Sequence, residues 1–405
     1  MRLLYADVYA HSINPSHRLT AAMAAGAADD IAFYGPGFSA AEELDRGLLA
    51  FAERTGPYDA VMIGPATALF ADTDAKREGS ARYWTQFAAQ SASASRILAF
   101  YCDVQAVLPR LPVRRRIAAL LSFDYYAATA RHTDLLEALD LHVIASDAQF
   151  VPTVEQLPDW VWQEEHFRRK RHMISSEWNR FLTRRADRVL SLPHFVADEE
   201  ISFRALGERS NRIAVPGVEY VLRRRALAAL HKSGIRPGGK WLFHLLRAGH
   251  HLRLPVFSRY VPLRLYNNAF LGGLMDSRFV YTAPEGFGIA VRKFFEIPGA
   301  GALMLCLPPI GFGALGFRAG EHYVEVEPEA LPEALAGLER DPDRAQAIAS
   351  AGRRLVFERH TLRQRMRQLA DCFAAMDRDR FAGSDWSQGQ FRVHLETPQR
   401  KAALP

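Results

Sequence analysis

At 405 residues the chain is longer than one hydrophobic core usually serves, so two domains are expected. Apolar content of 49% and charged content of 24% exclude a disordered or fibrous chain, and 51 basic against 45 acidic residues leave only +6, which does not by itself define a nucleic-acid binder. Three cysteines (Cys102, Cys306, Cys372) lie too far apart for a disulfide framework or a cysteine metal site, and fit a reducing cytoplasm. No secretory leader is expected, because Arg2 and Asp7 interrupt the first residues before an apolar segment forms. The uncharged run Ile297 to Phe317 carries three prolines and five glycines, so it reads as helix end, strand and loop rather than a membrane span.

In chain order, strands are expected at Leu3 to Val8, Asp30 to Tyr34, Asp59 to Ile63, Arg96 to Tyr101, Leu141 to Ala145 and Arg188 to Leu192. Helices are expected between them at Pro15 to Ala25, Ala40 to Arg54 and Lys76 to Ala92. Continuous apolar runs at this spacing suit a parallel sheet covered on both faces. A second α/β unit opens near Arg212 to Gly217 and continues with helix Tyr220 to Lys232, strand Lys240 to Leu246, helix Leu263 to Met275 and strand Arg278 to Tyr281. Further on come strand Leu303 to Cys306, a short strand Tyr323 to Val326, and helices Pro328 to Glu339, Arg344 to Arg354 and Leu362 to Met376. The expected division is residues 1–205, 206–377 and a polar, aperiodic tail at 378–405, surface-lying or partly disordered. The fold class is α/β, two facing Rossmann-like doubly wound domains, with the C-terminal helix packing back on the first.

The most informative stretch is Glu285 to Gly301. A turn with Gly286 and Gly288 leads into an expected helix whose first turns carry Arg292 and Lys293; Glu296 follows among Phe294, Phe295 and Ile297. Cations there suit a diphosphate, and a carboxylate can accept both hydroxyls of a ribose. Solvated surface charges are the plain alternative for Arg292 and Lys293, a half-exposed helical acid for Glu296, and an acid near a helix start for Glu285. Gly301 lets the helix end approach the strand.

The block Arg292 to Gly301 resembles the Arg/Lys-x-Phe-Glu-Ile-x-x-x-Gly element of glycosyltransferases of the group-one type, in particular their spore-maturation-protein-like (CgeB-like) branch. The resemblance extends over Val215 to Tyr220 with Arg223, Gly320 to Tyr323, Glu327 to Leu331 and Arg359 to Arg365, roughly residues 212 to 376. It implies the glycosyltransferase B fold, a nucleotide-sugar as co-substrate with no bound cofactor, and a ribose role for Glu296. Tyr266 joins the donor-side candidates. Many relatives carry two glutamates separated by seven residues; here the first position is Gly288, and Glu285 lies three residues earlier, so retention of anomeric configuration does not follow.

On the acceptor side a catalytic group is sought among Asp7, His11, Asp103 and Asp124, all read as lying at or beside strand ends. His194 reads equally as a hinge residue or a ligand contact. No metal is expected, since cations can neutralise a leaving diphosphate. The basic runs Arg114 to Arg116, Arg168 to Arg171 and Arg223 to Arg225 lack the aromatic interleaving of a nucleic-acid binder and read first as solvated surface; Trp160, Trp162 and Phe167 beside the second run suit a peripheral membrane surface, where a lipid-linked acceptor would lie. Three activities stay open: glycosyl transfer to a glycan, lipid-linked or small-molecule hydroxyl; epimerisation or hydrolysis of a nucleotide-sugar; and non-catalytic nucleotide or glycan binding.

Overall fold

The computed structural model describes residues 1–9, 16–71, 73–88, 92–120, 127–145, 154–238, 245–246, 248–249, 252, 254, 260–284 and 288–396. Its strands are β1 (Arg2–Ala6), β2 (Asp30–Tyr34), β3 (Ala60–Ile63), β4 (Arg115–Ala119), β5 (Leu141–Ala145), β6 (Val189–Ser191), β7 (Asn211–Ala214), β8 (Ser277–Thr282), β9 (Leu303–Cys306), β10 (Val324–Glu325), β11 (Phe381–Ser387) and β12 (Gln390–Leu395). Its helices are α1 (Ser16–Ala27), α2 (Ala41–Thr55), α3 (Asp74–Thr85), α4 (Ala94–Val107), α5 (Ala130–Ala138), α6 (Glu165–Lys170), α7 (Glu177–Arg184), α8 (Val221–Lys232), α9 (Tyr260–Asp276), α10 (Lys293–Gly299), α11 (Leu331–Arg340), α12 (Pro342–Arg359) and α13 (Leu362–Asp377).

The first sheet runs β2-β1-β3-β4-β5-β6, parallel throughout. Its order reverses at β1, which places a topological switch point between β1 and β3, the usual location of a ligand crevice. Four buried residues in succession at β3 show why these strands are apolar throughout: both faces are covered. Leu4, Val61, Ala118 and Val143 face α2 and α4, whereas Leu3, Met62, Ile117 and Ile144 face α1 and α13. The C-terminal helix α13 thus returns to cover the first sheet through Leu369, Cys372, Phe373 and Met376. The second sheet runs β10-β9-β8-β7, also parallel, with Ile213, Phe279 and Leu303 on one face against α8, α11 and α12, and Val280 and Met304 on the other against α10. The architecture is two Rossmann-type units, each a parallel sheet with helices on both faces.

Three expectations are corrected. Arg96 to Tyr101 is part of helix α4, not a strand: Ile97, Phe100, Tyr101 and Val104 recur at helical spacing on its buried face, and the Ser93 hydroxyl accepts the Arg96 N–H at 3.2 Å as a cap. The fourth strand is instead β4, which the basic run Arg114 to Arg116 leads into; Arg116 folds back onto the carbonyls of Leu108 and Leu111. The polar tail is an ordered hairpin, β11 and β12, through Leu395. Trp386 explains why it orders: the ring is buried in the core of the second unit and its indole N–H donates to the Ser191 carbonyl of the first at 2.9 Å, while Phe381 is buried in the first unit's core. The expected strand Lys240 to Leu246 falls on residues of which all but Leu245 and Leu246 lie outside those described.

The chain passes between the units twice, side by side. Outgoing residues 193–197 meet the returning turn between α12 and α13: the Val196 N–H donates to the His360 carbonyl at 3.1 Å, and the Leu362 N–H to the Val196 carbonyl at 2.8 Å. Arg365, fully buried, donates through Nε to the Pro193 carbonyl at 2.9 Å, through Nη2 to the His194 carbonyl at 3.3 Å, and through Nη1 to the Arg359 carbonyl at 2.9 Å. Its guanidinium lies 4.9 Å from the Trp386 ring. His360 Nδ1 faces Arg365 Nη2 at 2.9 Å and Nε2 faces the Leu315 carbonyl, a pairing that requires the neutral Nε2–H tautomer; burial and the Arg365 charge hold its pKa well below the usual range. Trp386→Ala is expected to lower stability by about 3–5 kcal/mol in urea unfolding, as for other large buried aromatics. A loss under about 1 kcal/mol would mean that the hairpin does not bind the units together.

Candidate functional site

The site grows from the loop between β8 and α10. Burial on every side makes this short helix rigid: all residues from Phe294 to Gly299 are buried within its seven residues. It begins at Lys293 rather than at the glycine turn, and Arg292 occupies the preceding position. Glu285 and Gly286 lie outside the described residues. Gly288 accepts the Ile310 N–H at 2.8 Å through its carbonyl, tying this loop to the one after β9.

Arg292 and Glu296 stand one helical turn apart and pair with each other, both over nine-tenths buried. Arg292 also pairs with Glu200, and its Nε donates to the Phe195 carbonyl at 3.1 Å. The guanidinium expected on a phosphate is therefore engaged by two carboxylates and the crossing backbone. Burial pushes the Glu296 carboxyl up from its usual range against the pull of Arg292; Glu200 acts with burial, and Lys293 and His194 act against it. His194, partly exposed on the crossing segment, is thus near enough to sense the Glu296 charge.

Lys293 projects over the end of β7. A Cβ built at Gly217 would stand 2.5 Å from Lys293 Nζ, which would have to swing aside, and the glycine's φ of +98° is one that other residues rarely adopt. Arg223 joins this loop to the one after β8, donating to the Val218 carbonyl at 2.8 Å and the Ala283 carbonyl at 3.2 Å. Lys293, Gly217 and Glu296 therefore gather at the carboxyl ends of β7 and β8, where open α/β sheets bind ligands. Gly301 serves the other end of α10: at φ +74° a Cβ there would meet Arg209, whose Nη2 donates to the Ala300 carbonyl at 2.9 Å. Tyr266 lies on α9 and packs, partly buried, against the core of the first unit.

On the first unit, Asp7 follows β1 at the switch point and is buried. Its carboxyl accepts the Tyr5 hydroxyl at 3.2 Å and the Thr67 hydroxyl at 3.0 Å. A Cβ at Gly64 would collide with it, so the loops after β1 and β3 close directly on this carboxyl. Asp103 is a correction: it lies on α4, not at a strand end, and accepts the Leu48 N–H at 2.7 Å just past the break in α2 at Gly47, a capping role. His11 and Asp124 lie outside the described residues. Of the three Asp-x-Asp spacings, two are in structural use: Asp341 caps α12 through the Arg344 N–H at 3.1 Å, and Asp379 pairs with Arg114 and Arg115; in the third, Asp72 to Asp74, Asp72 lies outside the described residues. No group of three or more His, Cys, Asp or Glu that could hold a metal ion occurs among the described residues.

The sequence reading missed Glu200, whose run Asp198 to Glu200 resembles any acidic surface turn. It also passed over Gly217 as a contact of Lys293, although the motif Val215-Pro216-Gly217 had been singled out.

Burial pushes the Asp7 carboxyl up from 3.8 to about 7 against the donors around it. The folded state then keeps a proton that the unfolded chain releases, so this stabilisation is complete below the unfolded pKa and disappears as pH rises through the folded one. Stability should fall by up to about 4 kcal/mol between about pH 4 and pH 8 relative to Asp7→Asn. Urea unfolding of both proteins across that range measures it; a constant difference would mean that Asp7 stays ionised.

Residues 256–371 match a family model described as glycosyl transferase-like. HepE from Anabaena, solved with UDP-glucose, is 13% identical to this chain, with a TM-score of 0.47, covering 93% of this chain and 100% of that one. A glycosyltransferase from Rickettsia africae is 12% identical with a TM-score of 0.44, covering 93% and 99% respectively. Sucrose-phosphate synthase from Thermosynechococcus elongatus is 10% identical with a TM-score of 0.42, covering 94% and 100%. No curated protein matches. The matched segment contains α9, α10 and most of α13, so the chain is similar to glycosyl transferases over the stretch that carries Arg292, Lys293 and Glu296.

Proposed function

We propose that the protein transfers a glycosyl group from a nucleotide-sugar to an acceptor hydroxyl, with the donor held by the second unit. The observation that carries this reading is the buried Glu296, paired on one side by Arg292 and near Lys293, at the carboxyl ends of parallel strands within the glycosyl transferase-like segment. In this reading Glu296 accepts the ribose hydroxyls and Lys293, beside Gly217, meets the diphosphate. The acceptor hydroxyl oxygen bonds to the anomeric carbon and its proton passes to an oxygen of the departing diphosphate. The bond from that carbon to the diphosphate breaks with its electron pair staying on the phosphate, and Lys293 stabilises the charge on the departing nucleotide. Asp7 we assign to holding the acceptor-side loops rather than to proton transfer, since its carboxyl already accepts Tyr5 and Thr67. Within the group-one type we favour the spore-maturation-protein-like branch, on the block Arg292 to Gly301.

For the acceptor we favour a glycan or a lipid-linked glycan. The exposed Arg168 and Arg169 of α6, with Arg171 lying 4.9 Å from the Trp162 ring, support an approach to an anionic surface. No helix among the described residues is long and apolar enough to cross a membrane.

A thermal-shift panel of nucleoside diphosphates tests the donor site: a true ligand at 100 times its dissociation constant adds ~2.7 kcal/mol. Glu296→Gln, which keeps the shape, is expected to weaken that ligand at least about tenfold with little change in melting temperature. Stabilisation by none of the panel would sink the reading. Nucleotide release that needs no acceptor would indicate a hydrolase instead. Because Lys293 supplies the positive charge, EDTA is expected to leave activity within about twofold, whereas a metal-dependent transfer step would collapse.

A further inference from the structure

We propose that Glu200 is a positioning residue for nucleotide recognition: by holding Arg292 from the opposite side, it confines that guanidinium to one oxygen of Glu296 and keeps the other for a vicinal diol. The inference rests on the donor-site reading of Glu296 given above.

Glu200 is itself held by the crossing backbone, since its Oε2 accepts the Ala197 N–H at 2.8 Å. The same oxygen takes Arg292 Nη2, while Nε goes to the Phe195 carbonyl at 3.1 Å and Nη1 to Glu296 Oε1. All three guanidinium nitrogens are therefore committed to different partners, which fixes the plane of a rigid group. Among the described residues Glu296 Oε2 has no hydrogen-bonding partner.

An arginine next to a single carboxylate prefers to fork onto both of its oxygens. Glu200 prevents this by competing for Nη2. Without its charge Arg292 is free to turn, take both oxygens of Glu296 and close the acceptor that a ribose needs. Net charge matters as well. Two carboxylates against one guanidinium leave the trio one unit negative, which favours hydroxyl donors and disfavours a phosphate at this end. The nucleotide is thereby oriented, with its sugar hydroxyls toward Glu296 and its phosphates toward Lys293. The crossing segment sets this geometry, because Phe195 and Ala197 are the backbone anchors of Arg292 and Glu200 respectively.

The test compares ribonucleoside with 2′-deoxyribonucleoside diphosphates by calorimetry, using whichever of UDP, GDP, ADP and CDP binds the wild type best, with inorganic pyrophosphate as a probe lacking ribose. Wild type is expected to prefer the ribonucleotide by about tenfold or more, the scale of a hydrogen bond to a charged group. In Glu200→Gln the preference should fall to within about twofold while pyrophosphate affinity stays unchanged, a pattern that loosened folding would not produce. Glu200→Asp, which keeps the charge but withdraws it by one methylene from Arg292, is measured in parallel with the same expectation. Undiminished preference in the variant that folds overturns the role of Glu200 alone. No preference in wild type overturns the ribose role of Glu296 and this proposal with it.

Discussion

Everything in this molecule depends on satisfying the backbone of the outgoing crossing, residues 193–197. A segment between two sheets has no ladder of its own, and its buried carbonyls need donors. Two buried arginines supply them from opposite sides. Arg365, from the helix that returns to the first unit, takes Pro193 and His194; Arg292, from the edge of the donor site, takes Phe195. The returning chain binds Val196 directly. Burying two guanidinium groups costs desolvation, and each is offset differently: Arg365 by carbonyls, His360 and the face of Trp386, Arg292 by two carboxylates. The architecture and the site therefore share residues. Arg292 is at once a strut of the crossing and a neighbour of the carboxylate read as the ribose acceptor.

Legibility from sequence followed the range of the interactions. Parallel strands were visible because burial on both faces makes their apolar runs continuous, as at Ala60 to Ile63 and Leu303 to Cys306. The same logic misassigned Arg96 to Tyr101, where a helix wedged into the core gives an equally apolar run from Ile97 on. Arg114 to Arg116 concealed a strand because Arg115 and Arg116, half-buried, serve an aspartate and carbonyls, while Arg114 stays exposed beside the same aspartate. The hairpin escaped notice since its few apolar residues, Phe381, Trp386 and Phe391, gain partners only after the two units have come together.

Within the site, Arg292, Lys293 and Glu296 were legible as a spacing, while their mutual use was not. A pair one turn apart on a helix can be read from sequence; whether it faces water, a ligand or another carboxylate depends on what packs above it. The decisive neighbour, Glu200, lies 92 positions away in an unremarkable acidic turn. Gly217 was singled out for its motif, but its closeness to Lys293 appears only when β7 and β8 lie side by side.

The paired crossings also have a kinematic meaning. A single covalent link between two globular bodies leaves them free to swivel about it. Here the outgoing and returning chains are bonded to one another at Val196, and the hairpin anchors Phe381 in one body and Trp386 in the other. Swivelling would shear both connections at once, so the remaining freedom is bending about an axis through them. In such a bend the side chains beside the crossings, His194 and Arg292 among them, lie nearest the axis and are displaced least.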